Sequence, residues 1–96
     1  MTGYRLSPRA QADLDDIWDF TVERWGGRRA EAYIRQIYGA VEALAVTPGI
    51  ARRSDEVRPG YWKHPVGSHV IFFRRRPGGI DVVRTWYRRM DFERHL

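Results

Sequence analysis

The chain has no cysteine, a single lysine and no apolar run near the roughly 20 residues a membrane span needs. Without cysteine, neither disulfides nor thiolate-bound zinc can staple the fold, a composition that suits a reducing compartment. The opening residues, Met1 to Leu6, lack the basic-then-apolar layout of a secretory signal, so a cytoplasmic protein is expected. Gly26-Gly27 and Gly78-Gly79 read as turns, because neither stands in the flanking pattern of a phosphate-binding loop. Ser7, Ser54 and Ser68 have no nucleophile-elbow context. Of the three histidines, His64 and His69 flank one tight turn, but a metal site there would need carboxylates that the sequence does not place. No metal and no cofactor is therefore expected.

What is present is aromatic and basic. Ninety-six residues make one domain, 1–96, with four Trp, five Tyr and four Phe to fill its core. A chain of this length buries roughly 60–70% of the surface it exposes when unfolded, enough to fold alone without a large margin. The net charge of +5 is unevenly spread. Up to Pro48, six arginines face seven acids; from Gly49 onward, ten arginines and Lys63 face five. A near-neutral half joined to a strongly basic half suggests one face for an acidic partner. The plainer reading is a solvated basic surface, with arginine preferred to lysine for reasons unrelated to binding.

Tyr4-Arg5-Leu6 reads as a short strand. Ser7-Pro8 then starts a helix, with Ser at the N-cap and Pro at the first helical position, where its missing N–H costs nothing. Leu14, Ile17, Trp18, Val22 and Trp25 recur at helical spacing, and Gly26-Gly27 ends the pattern. A second amphipathic pattern runs through Ala30, Tyr33, Ile34, Ile37, Tyr38, Val41, Leu44 and Ala45 to a stop at Pro48-Gly49. So short a connection makes the two helices an antiparallel hairpin, which needs another layer to cover its apolar side. The segment 51–60 is polar and turn-rich, the longest loop expected. Residues 61–66, 69–75 and 80–87 are rich in β-branched and aromatic residues, joined by tight turns at Gly67-Ser68 and Pro77-Gly78-Gly79. They predict an antiparallel meander, with Pro65 at an edge or bulge and a last short tail from Met90 to Leu96. The fold expected is α+β, a two-helix hairpin on a small antiparallel sheet in the order β-α-α-β-β-β.

Arg52, Arg53, Arg58, Lys63, Arg74, Arg75, Arg76, Arg84, Arg88 and Arg89 all fall on the sheet half. Guanidinium groups bind phosphate or carboxylate in pairs of hydrogen bonds and stack on rings, so the cluster suits a nucleic acid or an acidic protein. Tyr61, Trp62, Trp86 and Tyr87 would add stacking. Arg84 lies mid-strand between Val82-Val83 and Thr85-Trp86, where a charge is costly unless it is wet or paired. It reads equally as a salt bridge to Asp91 or Glu56 and as a phosphate clamp.

The ordered set Ser7-Pro8-Arg9-Ala10, Ala12-Asp13-Leu14, Ile17-Trp18, Arg24-Trp25-Gly26 and Ala30-Glu31-Ala32-Tyr33 resembles the helical hairpin of ParE toxins. So do Arg58-Pro59-Gly60-Tyr61, Gly67-Ser68-His69, Val70 to Arg74, and the ending from Val83-Arg84 through Arg89-Met90-Asp91 to His95-Leu96. The resemblance covers the whole chain. ParE belongs to the RelE/ParE superfamily of bacterial type II toxin–antitoxin systems, and it implies a RelE/ParE-like fold and a complex with a ParD-like antitoxin. It further implies a toxin that poisons DNA gyrase by binding, with direct nucleic-acid contact the less favoured reading and no membrane partner.

The RelE branch instead cleaves mRNA on the ribosome, which needs an acid, a base and a cation for the phosphorane. ParE sequences typically read Leu-His-x-Arg-Met-Asp at the end of the last strand; this chain reads Trp86-Tyr87-Arg88-Arg89-Met90-Asp91. The substitution puts a phenol beside Arg84 and Arg88, which suits a ribonuclease, but the reading preferred is that Tyr87 only conserves a hydrogen-bonding aromatic. Phe92 stands where that branch favours a tyrosine, however, and one lysine is poor material for its basic site. Gyrase inhibition is the reading taken, with ribosome-dependent endoribonuclease the alternative and a non-toxic basic module the third. On it, toxicity would rest on Arg84, Tyr87, Arg89, Met90 and Asp91, and catalysis, if any, on Arg84, Tyr87 and Arg88. Antitoxin binding would rest on Trp18, Trp25, Tyr33, Ile37 and Tyr38, with Arg58 and Arg74 from the sheet.

Overall fold

A computed structural model describes residues 3–88. Along the chain run β1 (Gly3–Leu6), α1 (Pro8–Trp25), α2 (Gly27–Val46), a single 3-10 turn (Pro48–Ile50), β2 (Arg52–Arg53), β3 (Trp62–Val66), β4 (His69–Arg76) and β5 (Gly79–Tyr87). The expected tail from Met90 lies outside the described residues. The strands form one sheet in the order β1-β5-β4-β3-β2.

The meander β3-β4-β5 is antiparallel as expected, but the sheet as a whole is mixed. β1 pairs with β5 in parallel, Gly3 opposite Gly79 through Leu6 opposite Val82. The hairpin carries the chain from β1 to β2 at the opposite edge of the sheet, and the meander returns it to β5, the long connection that parallel neighbours need. Gly79 permits the approach: a Cβ there would stand 1.7 Å from the Gly3 carbonyl oxygen. β2, two residues inside the expected loop, adds an outer strand by pairing Arg52 with Lys63 and Arg53 with Trp62. Pro65 lies past those pairs, on the unpaired stretch of β3's outer edge, where a missing N–H is tolerated.

The start of α1 is fixed by its cap. The Ser7 hydroxyl accepts the Ala10 N–H at 3.0 Å and donates to the Val83 carbonyl at 2.9 Å, tying the start of the helix to β5. The main core lies between the hairpin and the sheet: Leu14 and Ile17 of α1 with Ile37, Val41 and Leu44 of α2, against Ile71, Phe73, Ile80 and Val82. The buried side of α1 is Ala10, Leu14, Ile17 and Thr21, so Trp18, Val22 and Trp25 fall beyond it in solvent. A second cluster of Val70, Phe72 and Trp86 sits on the opposite face of the sheet. The segment 54–61 folds over it through Val57 and Tyr61. That segment is tied down, with Ser54 N–H donating to Tyr61 O at 2.8 Å and Gly60 N–H donating to Asp55 Oδ1 at 2.9 Å.

Candidate functional site

β1 ends at Leu6, which leaves the second half of β5 without a strand on that side. Asp13 of α1 fills the gap. Its carboxylate accepts the Thr85 N–H at 2.9 Å and two hydrogen bonds from Arg84, Nε to Oδ2 at 2.8 Å and Nη2 to Oδ1 at 2.9 Å. The Arg84 guanidinium also lies 4.6 Å from the Trp86 ring centroid. Its pKa is raised, chiefly by the hydrogen bonds it donates to Asp13. The partner of Arg84 is thus Asp13, not Glu56 or Asp91. Glu56 faces Lys63 at 3.3 Å, and Asp91 lies outside the described residues.

Arg84 stands opposite Phe72, on the face away from the helices, and lines a hollow of about 450 Å³ with Arg9, Arg58 and Tyr61. Ser7 and Val83 belong both to this hollow and to an adjoining one of about 320 Å³, lined by Arg5, Arg74 and Asp81. Together they form one open groove around the β1–α1 junction. Arg74 stacks on Tyr61 at 5.5 Å. Asp81 is held by Arg5 at 2.9 Å and Arg76 at 3.0 Å, and its carboxyl is pushed below the usual range, chiefly by the hydrogen bonds from Arg5.

The far end of β5 carries a different cluster on the helix side of the sheet. The Tyr33 hydroxyl lies 2.5 Å from His69 Nδ1, accepts the Ser68 N–H at 3.0 Å and reaches the Val66 carbonyl at 3.4 Å. Tyr87 meets the His69 ring edge-on with centroids 5.7 Å apart. Burial lowers the His69 pKa, opposed by the charge of Asp13, and burial is the main cause of a raised Tyr33 pKa. The turn fits closely against Tyr33: at Gly67, where φ is +55°, an added Cβ would meet the ring at 2.6 Å. Arg88 donates its N–H to Ser68 O at 2.8 Å, anchoring the chain where it leaves the sheet.

These positions redistribute the residues singled out in the sequence. Tyr87, opposite His69, and Arg84, opposite Phe72, project from opposite faces of the sheet, so the phenol is not beside Arg84. Arg88 is close to Tyr87, and Arg89, Met90 and Asp91 lie outside the described residues. Trp18 and Trp25 are 39% and 59% exposed, as a partner surface requires, but Ile37 is wholly buried and offers none. Tyr33 is occupied at the turn, and Tyr38 is half-buried with its ring 6.3 Å from Tyr4. Arg58 and Arg74 belong to the groove on the other side of the sheet.

Sequence reasoning missed Phe20, 57% exposed on α1, whose signal was Arg24 one turn on; the two stack at 5.2 Å. It also missed the role of Asp13, and of Arg5 and Arg9, hidden in the half of the chain with no net positive charge. Among the described residues no three of His, Asp and Glu converge as a metal site would need, and no helix is long and apolar enough to cross a membrane.

An edge strand parallel to its neighbour, followed by a helical hairpin that packs on the sheet and leads to the meander, defines a RelE/ParE-like α+β domain. Residues 4–92 match the family described as ParE toxin of type II toxin-antitoxin system, parDE. The chain is 50% identical over 94 residues to Toxin ParE1 of Mycobacterium tuberculosis, covering 97% of this chain and 96% of that protein. It is 38% identical over 96 residues to Toxin ParE1 of Caulobacter vibrioides, covering 100% and 99%. Its fold matches a chain of the chromosomal ParDE toxin–antitoxin system from P. aeruginosa with a TM-score of 0.77, at 22% identity over 91% of this chain and 96% of that one. The chain belongs to the ParE toxin family of type II toxin–antitoxin systems.

Proposed function

We propose that this ParE-family toxin acts in the cytoplasm by binding and inhibiting DNA gyrase, and that a ParD-like antitoxin neutralises it. The observation that carries the choice of a binding mechanism over RNA cleavage is the Arg84–Asp13 pair. The cation best placed by sequence to stabilise a phosphorane is held in two hydrogen bonds by a carboxylate, on the opposite face of the sheet from His69 and Tyr87. An acid, a base and a cation must converge on one phosphate to cleave it. The antitoxin surface we assign to the exposed side of the hairpin, Trp18 and Trp25 with Phe20 added, because these rings are 39%, 59% and 57% exposed among the described residues. The working surface we assign to the C-terminal end of β5 and its continuation, Tyr87 and Arg88 leading into Arg89, Met90 and Asp91, with Arg84 retained as the residue that fixes β5 to α1.

The test is a supercoiling assay with purified toxin and gyrase. Inhibition or accumulation of cleaved DNA, reversed by a ParD-like partner, is the expected result. Unaltered supercoiling at excess toxin would reject the proposal. One observation favours the endoribonuclease alternative: Tyr33, His69 and Tyr87 gather beside Arg88 at the end of β5. It predicts ribosome-dependent mRNA cleavage lost in Tyr87→Phe, and transcripts left intact by active toxin would exclude it.

A further inference from the structure

The gyrase reading makes no use of the groove behind the sheet. Arg5 of β1, Arg9 of α1, Arg58 before β3, Arg74 of β4 and Arg84 of β5 come from five places in the chain to line its two adjoining hollows. One acid, Asp81, lines them as well, and Asp13 approaches from α1 to hold Arg84. Several of the guanidinium groups are set in place rather than loose. Arg74 lies over Tyr61, Arg84 lies over Trp86 and is held by Asp13, and Arg5 is held by Asp81. Asp13 engages two of the five N–H donors of Arg84, which leaves others to serve a ligand in the hollow that it lines. The first turn of α1 opens on the same space through Ser7, Pro8 and Arg9, and its dipole adds to the positive potential.

We propose that this groove binds the phosphodiester backbone of a nucleic acid, with Arg5, Arg9, Arg58, Arg74 and Arg84 as phosphate contacts and Tyr61 as a stacking platform. The chemistry of the lining separates this ligand from an acidic peptide. Stable peptide docking draws on a large apolar side chain buried in a pocket. The large exposed apolar side chains of the described residues lie on the helical hairpin, on the turn after it and at Tyr87, and none lines the groove. A phosphate backbone needs no such anchor, because arginines and released counterions carry the affinity. Each arginine that neutralises a phosphate adds about −0.9 to the salt slope on duplex DNA, so three such contacts give a slope of about −2.7. For a toxin proposed to act on a DNA-handling enzyme, such a groove would grip the enzyme's substrate alongside the enzyme.

The test is fluorescence anisotropy with the purified full chain and labelled 20-mers of duplex DNA, single-stranded DNA and RNA, whose ranking identifies the source of the phosphodiester. Binding at 50 mM salt should weaken about 40-fold by 200 mM. Arg9→Ala with Arg74→Ala, one change in each hollow, should weaken binding at least tenfold at 50 mM and flatten the salt slope by about two units. Arg28→Ala with Arg35→Ala on the hairpin removes the same charge and should change binding less than twofold. If the groove pair fails to fold by circular dichroism, Arg9→Lys with Arg74→Lys takes its place, expected to keep the salt slope and weaken binding a few-fold. Equal losses in the groove and hairpin pairs would overturn the proposal. So would absence of binding to all three oligonucleotides, or displacement by polyglutamate as effective as by unlabelled oligonucleotide. Gyrase inhibition is scored separately on the same variants. A groove variant that loses oligonucleotide binding yet still inhibits leaves the gyrase reading standing, and oligonucleotide binding by a chain without effect on gyrase supports the groove alone.

Discussion

At the scale of single residues, Asp13 meets three demands with one carboxylate. It pairs with Arg84, accepts the Thr85 N–H that would otherwise face no strand, and so holds α1 against the open half of β5. A sheet edge left with free N–H groups invites foreign strands, and covering it with a helix is one remedy. Asp13→Ala removes the acceptor for both neighbours. It should cost about 2–4 kcal/mol, read from the urea midpoint at constant m value. Arg84→Ala should cost less, because Asp13 keeps Thr85 and regains water on its other oxygen. A larger loss for Arg84→Ala would show that the arginine, not the edge cap, is what Asp13 is there to serve. The alternation of residues around Arg84 gave notice that a charge in mid-strand needed an answer. It did not name Asp13, which lies 71 residues away in sequence.

Among elements, the junction of α2, the β3–β4 turn and β5 sets how the end of β5 is presented. Tyr33 reaches from α2 to Ser68, Val66 and His69, while Arg88 closes the same turn from the other side. Burial lowers the His69 pKa from the ordinary value of 6.5, against the opposing charge of Asp13. In the unfolded chain the imidazole takes up a proton near pH 6.5, whereas in the folded chain it does so only at lower pH. The unfolded state then binds more protons, and stability falls as pH drops from about 6.5 toward the folded pKa. Urea midpoints between pH 7 and pH 5 should therefore decline in the native protein and less steeply in His69→Gln. Parallel slopes would contradict the assignment. Asp55, Glu56 and Asp81, all lowered, act in a separate window: their contribution is present above about pH 4 and is lost below it. The pattern of apolar residues located both helices and three strands, but it could not show that Tyr33 leaves the helical face to latch a turn.

The whole molecule is a sheet packed on both faces, unequally. Phe73 belongs to the larger core under the hairpin and Phe72 to the smaller cluster beneath the 54–61 segment, and both are fully buried. Phe72 and Phe73 take opposite faces by ordinary strand alternation, and the register shift across from them leaves Val83 as an extra residue of β5, where that strand passes from its β1 neighbour to its α1 neighbour. If the two clusters are one cooperative unit, Phe72→Ala and Phe73→Ala should each cost about 3–5 kcal/mol. Near- and far-ultraviolet circular dichroism would then give coincident transitions. An early near-ultraviolet loss in Phe72→Ala alone would mark the smaller cluster and its covering segment as a separate unit. The same two-sided packing divides the surface. The exposed aromatics lie on the hairpin, the basic groove lies behind the sheet, and what was read as one antitoxin set falls on both.

Local chemistry in the sequence determined the elements themselves. Ser7-Pro8 began α1, the glycine turn folded the hairpin, Pro48-Gly49 stopped it, and two tight turns spaced the meander; each of these acts over a few residues, where dihedral preference and hydrogen-bonding capacity decide. The same local logic identified the family by an ordered series of short matches. Tertiary structure alone decided the parallel pairing of β1 with β5, the choice of Asp13 over Glu56 or Asp91 for Arg84, and the separation of Arg84 from Tyr87. It also decided the burial of Ile37 and the convergence of Arg5 and Arg9 with the basic half of the chain. All of these join residues far apart in sequence, and their energies depend on which surfaces the packed layers bring together. Helical periodicity showed that Leu14, Ile17, Trp18, Val22 and Trp25 lie toward one side of α1. How much of that side was covered depended on the width of the sheet and hairpin beside it, and the rings left outside became the candidate surface for a partner.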